Sequence, residues 1–185
     1  PAWETSFQTH NVLPQEAIFI NHKQHNPRPC NRLEQAGDWL RPPDFIRIRS
    51  LAIPPNVPLF EEYQAGRFSR CTDVMVAQEL LTFIDNLDGI TSVVKSDHIL
   101  NLFADLEGRL PDNKGHILTM LRTYLAMDLR QQQLYQLGRR LGIFHRIGDF
   151  KDPHSVAEVE KAYHALDITP ENVDEITHAL MTRYL

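Results

Sequence analysis

Arginines take alternate positions in Phe45-Ile46-Arg47-Ile48-Arg49, and the run continues through Ser50-Leu51-Ala52-Ile53 to a double proline at 54–55. This is the two-residue period of a strand. Successive strand side chains point to opposite faces, so Ile46 and Ile48 share one side and Phe45, Arg47 and Arg49 the other. Two guanidiniums on one face are costly to bury unless an anionic or polar group meets them there. Ligands of α/β folds gather at strand ends, which makes this strand the first place to look for a site. The plainer alternative is an ion pair with a nearby Asp or Glu at a sheet edge.

After a rigid turn at Pro54-Pro55-Asn56-Val57-Pro58 the period changes. Thr72-Asp73 has the form of a helix cap, and Ala77, Leu80, Ile84 and Leu87 follow at helical spacing until Asp88-Gly89. Ile90-Thr91-Ser92-Val93-Val94 is β-branched and short, a second strand. Strand, helix, strand is the unit of a parallel sheet with a covering helix. The remainder reads helical. Ile117, Leu118, Leu121, Tyr124 and Leu125 mark one helix begun by Pro111-Asp112-Asn113. Leu134, Leu137 and Leu141 mark the next, stopped by Gly142. Ser155 and Glu158 have capping-box spacing before Val156, Val159, Tyr163 and Leu166. Thr169-Pro170-Glu171 starts a last helix, with Val173, Ile176, Leu180 and Met181 on its buried face.

Residues 1–41 differ in texture: polar, proline-punctuated, with a short apolar patch at Ala17-Ile18-Phe19-Ile20 that four residues cannot assign to strand or helix. Asn26-Pro27-Arg28-Pro29 reads as a loop, and a helix from Asn31 to Leu40 would end at Pro42-Pro43. The chain therefore divides into an unassigned segment at 1–41, a partial α/β segment at 42–110 and a helical region at 111–185. The expected class is α/β, predominantly helical, with a few parallel strands followed by a C-terminal helical bundle.

With 185 residues, 42% of them hydrophobic, the chain is long enough to bury a core without disulfides. A net charge of −5 argues against a nucleic-acid or anionic-membrane partner. No apolar run approaches a membrane span, and no secretory signal is visible, so the expected location is the cytoplasm. Cys30 and Cys71 lie far apart without CxxC spacing, which fits a reducing compartment.

His22 and His25 are three residues apart with Cys30 nearby, but no second ligand pair completes a structural metal site. There is no phosphate-binding glycine loop, no dinucleotide fingerprint and no nucleophile elbow. Arg139, Arg140, His145 and Arg146 sit at and after a helix C-terminus, where cations offset the helix dipole as a solvated basic edge. A docking surface for an acidic partner is the weaker alternative there. Ser96, Asp97 and His98 supply hydroxyl, carboxylate and imidazole just after the second strand, where active-site loops of α/β barrels lie. Neighbours in sequence do not form a triad by themselves; helix capping by Ser96 or Asp97 is the plainer explanation, and is compatible with binding.

The run Pro43-Asp44-Phe45-Ile46-Arg47-Ile48-Arg49-Ser50-Leu51-Ala52-Ile53-Pro54-Pro55-Asn56-Val57-Pro58-Leu59-Phe60 resembles a late barrel strand and loop of radical S-adenosylmethionine proteins. The branch is that related to oxygen-independent coproporphyrinogen oxidase and the elongator-type radical enzymes. Asn86-Leu87-Asp88-Gly89-Ile90-Thr91-Ser92, Ser96-Asp97-His98-Ile99-Leu100-Asn101-Leu102 and Glu107-Gly108-Arg109-Leu110-Pro111 are similar to the same branch. So are Leu137-Gly138-Arg139-Arg140-Leu141-Gly142 and Thr169-Pro170-Glu171-Asn172-Val173-Asp174-Glu175, so that the likeness runs in order over residues 43–185. The resemblance implies part of a parallel barrel, with Arg47, Arg49, Asp97 and His98 as candidates to bind cofactor or substrate and no catalytic or metal-ligating residue. The family's CxxxCxxC loop is missing, and three thiolates are the minimum for its four-iron cluster. The chain alone is thus expected to carry no cofactor and no activity; S-adenosylmethionine and the cluster belong to an intact parent. Expected partners are the rest of that enzyme, another protein, or a second copy through unpaired strand edges. The alternative reading is a non-catalytic helical module that binds a protein.

Overall fold

The computed structural model describes residues 44–184; the expectations for residues 1–41, including the Ala17–Ile20 patch, the Asn31–Leu40 helix and the His22, His25 and Cys30 group, lie outside the described residues. Strand β1 is Phe45–Arg47, β2 is Val93–Lys95 and β3 is Glu107–Arg109. β1 and β2 pair in parallel, Ile46 opposite Val94, and β3 pairs antiparallel on the other side of β2. The strand–helix–strand unit expected from the sequence is therefore present. β1 is shorter than its apolar run, although the Ile48 amide still donates to the Lys95 carbonyl at 2.8 Å. Ile46 and Ile48 are buried, while Phe45 is exposed and Arg47 and Arg49 are half-buried, as alternation requires. β3 went unread because Glu107-Gly108-Arg109 has neither β-branching nor an apolar face; its register, Lys95 against Glu107, adds a cross-strand ion pair at 3.3 Å.

Among the described residues six α-helices carry about half of the structure: α1 Pro58–Gln64, α2 Asp73–Asp85, α3 Lys114–Leu125, α4 Leu129–Arg140, α5 Pro153–Ala165 and α6 Val173–Met181. Thr72 caps α2 through its hydroxyl, which accepts from the Met75 amide at 3.2 Å. Ala77, Leu80 and Ile84 form its buried face. Gly142 takes positive φ, at 74°, just past the end of α4. Gly89 also takes positive φ, at 70°, but it does not close α2 as its position suggested: that helix ends earlier, at Asp85, with Asn86 as a right-handed cap.

Three helix starts differ from expectation. α1 begins on Pro58 inside what reads as a turn, using proline at the first helical position. α5 begins three residues earlier than the Ser155 capping box: Asp152 accepts from the His154 and Ser155 amides, both at 3.2 Å, and from the Ser155 hydroxyl at 2.5 Å. A carboxylate out-competes a hydroxyl for amides at the positive end of the dipole. α6 starts at Val173 because Thr169-Pro170-Glu171 forms a preceding turn, closed by the Asn172 side chain accepting from the Thr169 amide at 2.7 Å.

One apolar cluster links the two sides of residue 110: Ile46 and Val94 from the sheet, Leu80 and Ile84 from α2, Leu121 from α3 and Leu180 from α6. Its centre is aromatic, with Phe103 edge-on to Tyr124 at 5.3 Å and Tyr135 stacked on Phe144 at 6.3 Å. Within α4 every residue from Gln132 to Arg140 is buried. That helix reads as amphipathic in sequence, yet from Gln132 onward its polar side chains are enclosed as well.

Candidate functional site

Parallel pairing brings the carboxyl ends of β1 and β2 together. Arg47 lies opposite Lys95, so Asp97, two residues beyond, falls within reach of the guanidinium. Arg47 Nη2 stands 3.2 Å from Asp97 Oδ2, and the two side chains are 44% and 40% exposed. The Arg face of β1 is therefore met by a carboxylate and by water, which removes the cost of burying it.

Arg49 and His98 form the second half of the cluster. Burial first, then the Arg49 charge, hold the His98 imidazole below its ordinary value, with Asp97 acting in the opposite direction. His98 is consequently neutral at pH 7. Its Nδ1 accepts from the Leu100 amide at 3.4 Å, which puts the remaining proton on Nε2. Thus all four residues singled out from the sequence lie along one edge: a paired Arg47–Asp97, and Arg49 beside a neutral imidazole. The edge offers guanidinium and imidazole N–H donors to an anionic oxygen.

Residues 96–103 contain no helix, so neither Ser96 nor Asp97 is a cap. The loop is held instead by buried side chains that sequence reasoning missed. Asn101 is 2% exposed. Its Nδ2 donates to the Ile48 carbonyl at 2.8 Å and to Ser96 Oγ at 2.9 Å, and its Oδ1 accepts from the Ser50 amide at 2.8 Å. This ties the loop to the chain leaving β1.

Arg139 and Arg140 are not a solvated basic edge: they are 8% and 4% exposed. Arg139 donates to the carbonyls of Leu102 at 2.8 Å, Phe144 at 2.7 Å and Asn101 at 3.2 Å. Arg140 donates to the Leu100 carbonyl and to Asp73 Oδ1, each at 2.5 Å. Only His145 and Arg146 of that basic group are exposed, and both amides donate to Asp149. Charge at a helix end reads as solvated until a neighbouring loop is known to pass over it. The one usable signal was the run of three glutamines in α4, too polar for a covered helix unless partners are supplied.

Away from this edge, a small cleft lies between the chain leaving β1, the start of α2 and α6. Ser50, Arg70, Cys71, Asp73, Asp174 and His178 line it, and its volume of about 20 Å³ suits roughly one water. Arg70 spans it, donating to the Asp174 carbonyl at 3.0 Å. Burial, then the nearby Asp73, raises the Asp174 carboxyl. Burial and the Arg70 charge lower His178. Cys71 is buried in this cleft.

Among the described residues no group of three or more His, Cys, Asp or Glu is placed to hold a metal ion. The donor set of this chain, with Cys71 alone among described cysteines and Cys30 far away in sequence, does not fit a four-iron cluster. No described helix is long and apolar enough to cross a membrane. Compared with known proteins, the chain matches no family model, no curated protein and no solved structure.

Proposed function

We propose that this chain supplies late barrel strands and their helical cover to a radical S-adenosylmethionine enzyme whose cluster ligands lie outside it. The observation that carries the reading is the gathering of Arg47, Arg49, Asp97 and His98 at the carboxyl ends of two parallel strands joined through helices. Such ends are where α/β folds take their ligands. In this reading Asp97 orients Arg47, while Arg49 and the His98 Nε2–H meet a carboxylate of cofactor or substrate. The partner is the remainder of the enzyme, on the same or another chain, and the location is the cytoplasm. No chemical step is assigned to these residues, because the cluster that would initiate one does not fit them.

The test is anaerobic iron and sulfide analysis with an absorption spectrum, on this chain and on the longest product its gene encodes. Iron and sulfide in the longer product alone, with S-adenosylmethionine affinity weakened by R49Q and H98Q, is the expected result. No cluster in either sinks the enzyme reading. It would leave a helical protein-binding module, for which the exposed Ile99 and Leu129, at 59% and 57%, are the starting point.

A further inference from the structure

We propose that Arg139 and Arg140 are positioning residues, which hold the loop of Asp97 and His98 in line with Arg47 and Arg49 through three consecutive backbone carbonyls. Those carbonyls are Leu100, taken by Arg140, and Asn101 and Leu102, taken by Arg139. No regular element holds this stretch, so its carbonyls have no ladder to join. Two rigid guanidinium forks replace that ladder.

Each fork has a second anchor away from the loop. Arg139 also binds the Phe144 carbonyl, and Arg140 also binds Asp73 on α2. The loop is thereby referenced to α4 and α2 as well as to the strand it follows. Asn101 completes the frame by joining the same residues to Ile48 and Ser50, on either side of Arg49. A displacement of the loop would separate Asp97 from Arg47 and His98 from Arg49 together. This inference uses the same site as the proposed function and rests on that reading for its meaning, though its geometry and its test do not involve the cluster.

The experiment is a pH titration of the His98 ring followed by nuclear magnetic resonance, in the parent chain and in R139K and R140K. Lysine keeps the charge and loses the fork, so any movement of the His98 titration reports geometry rather than a removed charge. Arg49 and Asp97 are the charged groups that act on the ring. With the loop released from burial and from Arg49, His98 should titrate at higher pH, toward the ordinary imidazole value of about 6.5.

A role confined to stability would lower the thermal midpoint and leave His98 where it was; that result in a folded variant overturns the proposal. Should neither lysine variant fold, the reading is taken from D73N, which weakens the far anchor of Arg140. Loss of a negative charge would by itself lower His98, so a rise there supports positioning and no rise overturns it. A cluster-bearing longer product with unmoved His98 would defeat only the positioning role. A moved His98 with no cluster would defeat only the radical-enzyme reading.

Discussion

Two of the arginine–aspartate pairs among the described residues have opposite consequences. Arg47–Asp97 is close to half exposed, and such pairs contribute about 0.2–1 kcal/mol because water already solvates both ions. Arg140–Asp73 has side chains only 2% and 12% exposed. Removing one partner there strands a charge, a loss of about 3–5 kcal/mol. Urea unfolding should therefore show D97N within about 1 kcal/mol of the parent, and R140M several-fold more damaged. Equal losses in the two variants would show that burial does not separate their roles. Both arginines precede or follow apolar residues in much the same way in sequence, so only their surroundings distinguish a candidate ligand contact from a frame.

At the scale of elements, α4 shows most clearly what periodicity leaves out. Leu134 and Leu137 are buried as their spacing predicts, but so are Gln132, Gln133 and Gln136. Tyr163 donates to the Gln133 side chain at 2.7 Å, and Gln136 donates to Tyr124 at 2.9 Å, so partners from α5 and α3 offset part of that burial, while Gln133 Nε2 and Gln136 Oε1 are buried without a partner. Gly138 marks the closest approach on this helix. A Cβ built there would lie 2.3 Å from the Phe144 ring. Alanine normally improves a helix interior by about 1 kcal/mol over glycine. Here the ring cannot yield, because Phe144 is fully buried between Tyr135 and Phe150 and its amide donates to the Gly138 carbonyl at 3.0 Å. G138A should thus destabilise by about 1–3 kcal/mol in thermal or urea unfolding; a stabilised variant would mean the turn after α4 gives way easily. Apart from α1, helix positions were legible from apolar spacing, whereas the starts of α5 and α6 were not, since several capping residues compete within a few positions.

For the whole molecule, α6 is fastened to the chain leaving β1 and to the start of α2. His178 donates to the Ile53 backbone, Arg70 to the Asp174 carbonyl at 3.0 Å, and Tyr63 to Glu175 at 3.4 Å. His178 is lowered by burial and by Arg70, so folding favours its neutral form. Its contribution is complete above the unfolded value of about 6.5 and declines as pH falls below it, because the unfolded chain takes up the proton first. His98 acts with the same sign. Asp105 and Asp174 are raised, chiefly by burial, and their contribution has the reverse slope in the carboxylate range, present at low pH and lost as pH rises. Between pH 7.5 and 6 the histidines should dominate. Urea midpoints in that window should fall for the parent and fall less for H178Q, which cannot titrate. Equal slopes would remove His178 from the account.

The amino-acid sequence by itself determined the strand faces, the strand–helix–strand unit, the apolar stripes of five helices and the four residues that now line one edge. The faces and stripes depend on periods of two or about three and a half residues, and Asp97 and His98 on their place just after a strand, all of which are local. Tertiary structure alone decided the rest. It set Arg47 against Asp97 through a parallel register, and added β3 where no apolar pattern exists. It also turned Arg139 and Arg140 from apparent solvated charges into buried supports for the Leu100–Leu102 carbonyls. A hydrogen bond between residues some 40 positions apart leaves no period in the chain, because either partner alone is indistinguishable from a residue that faces water.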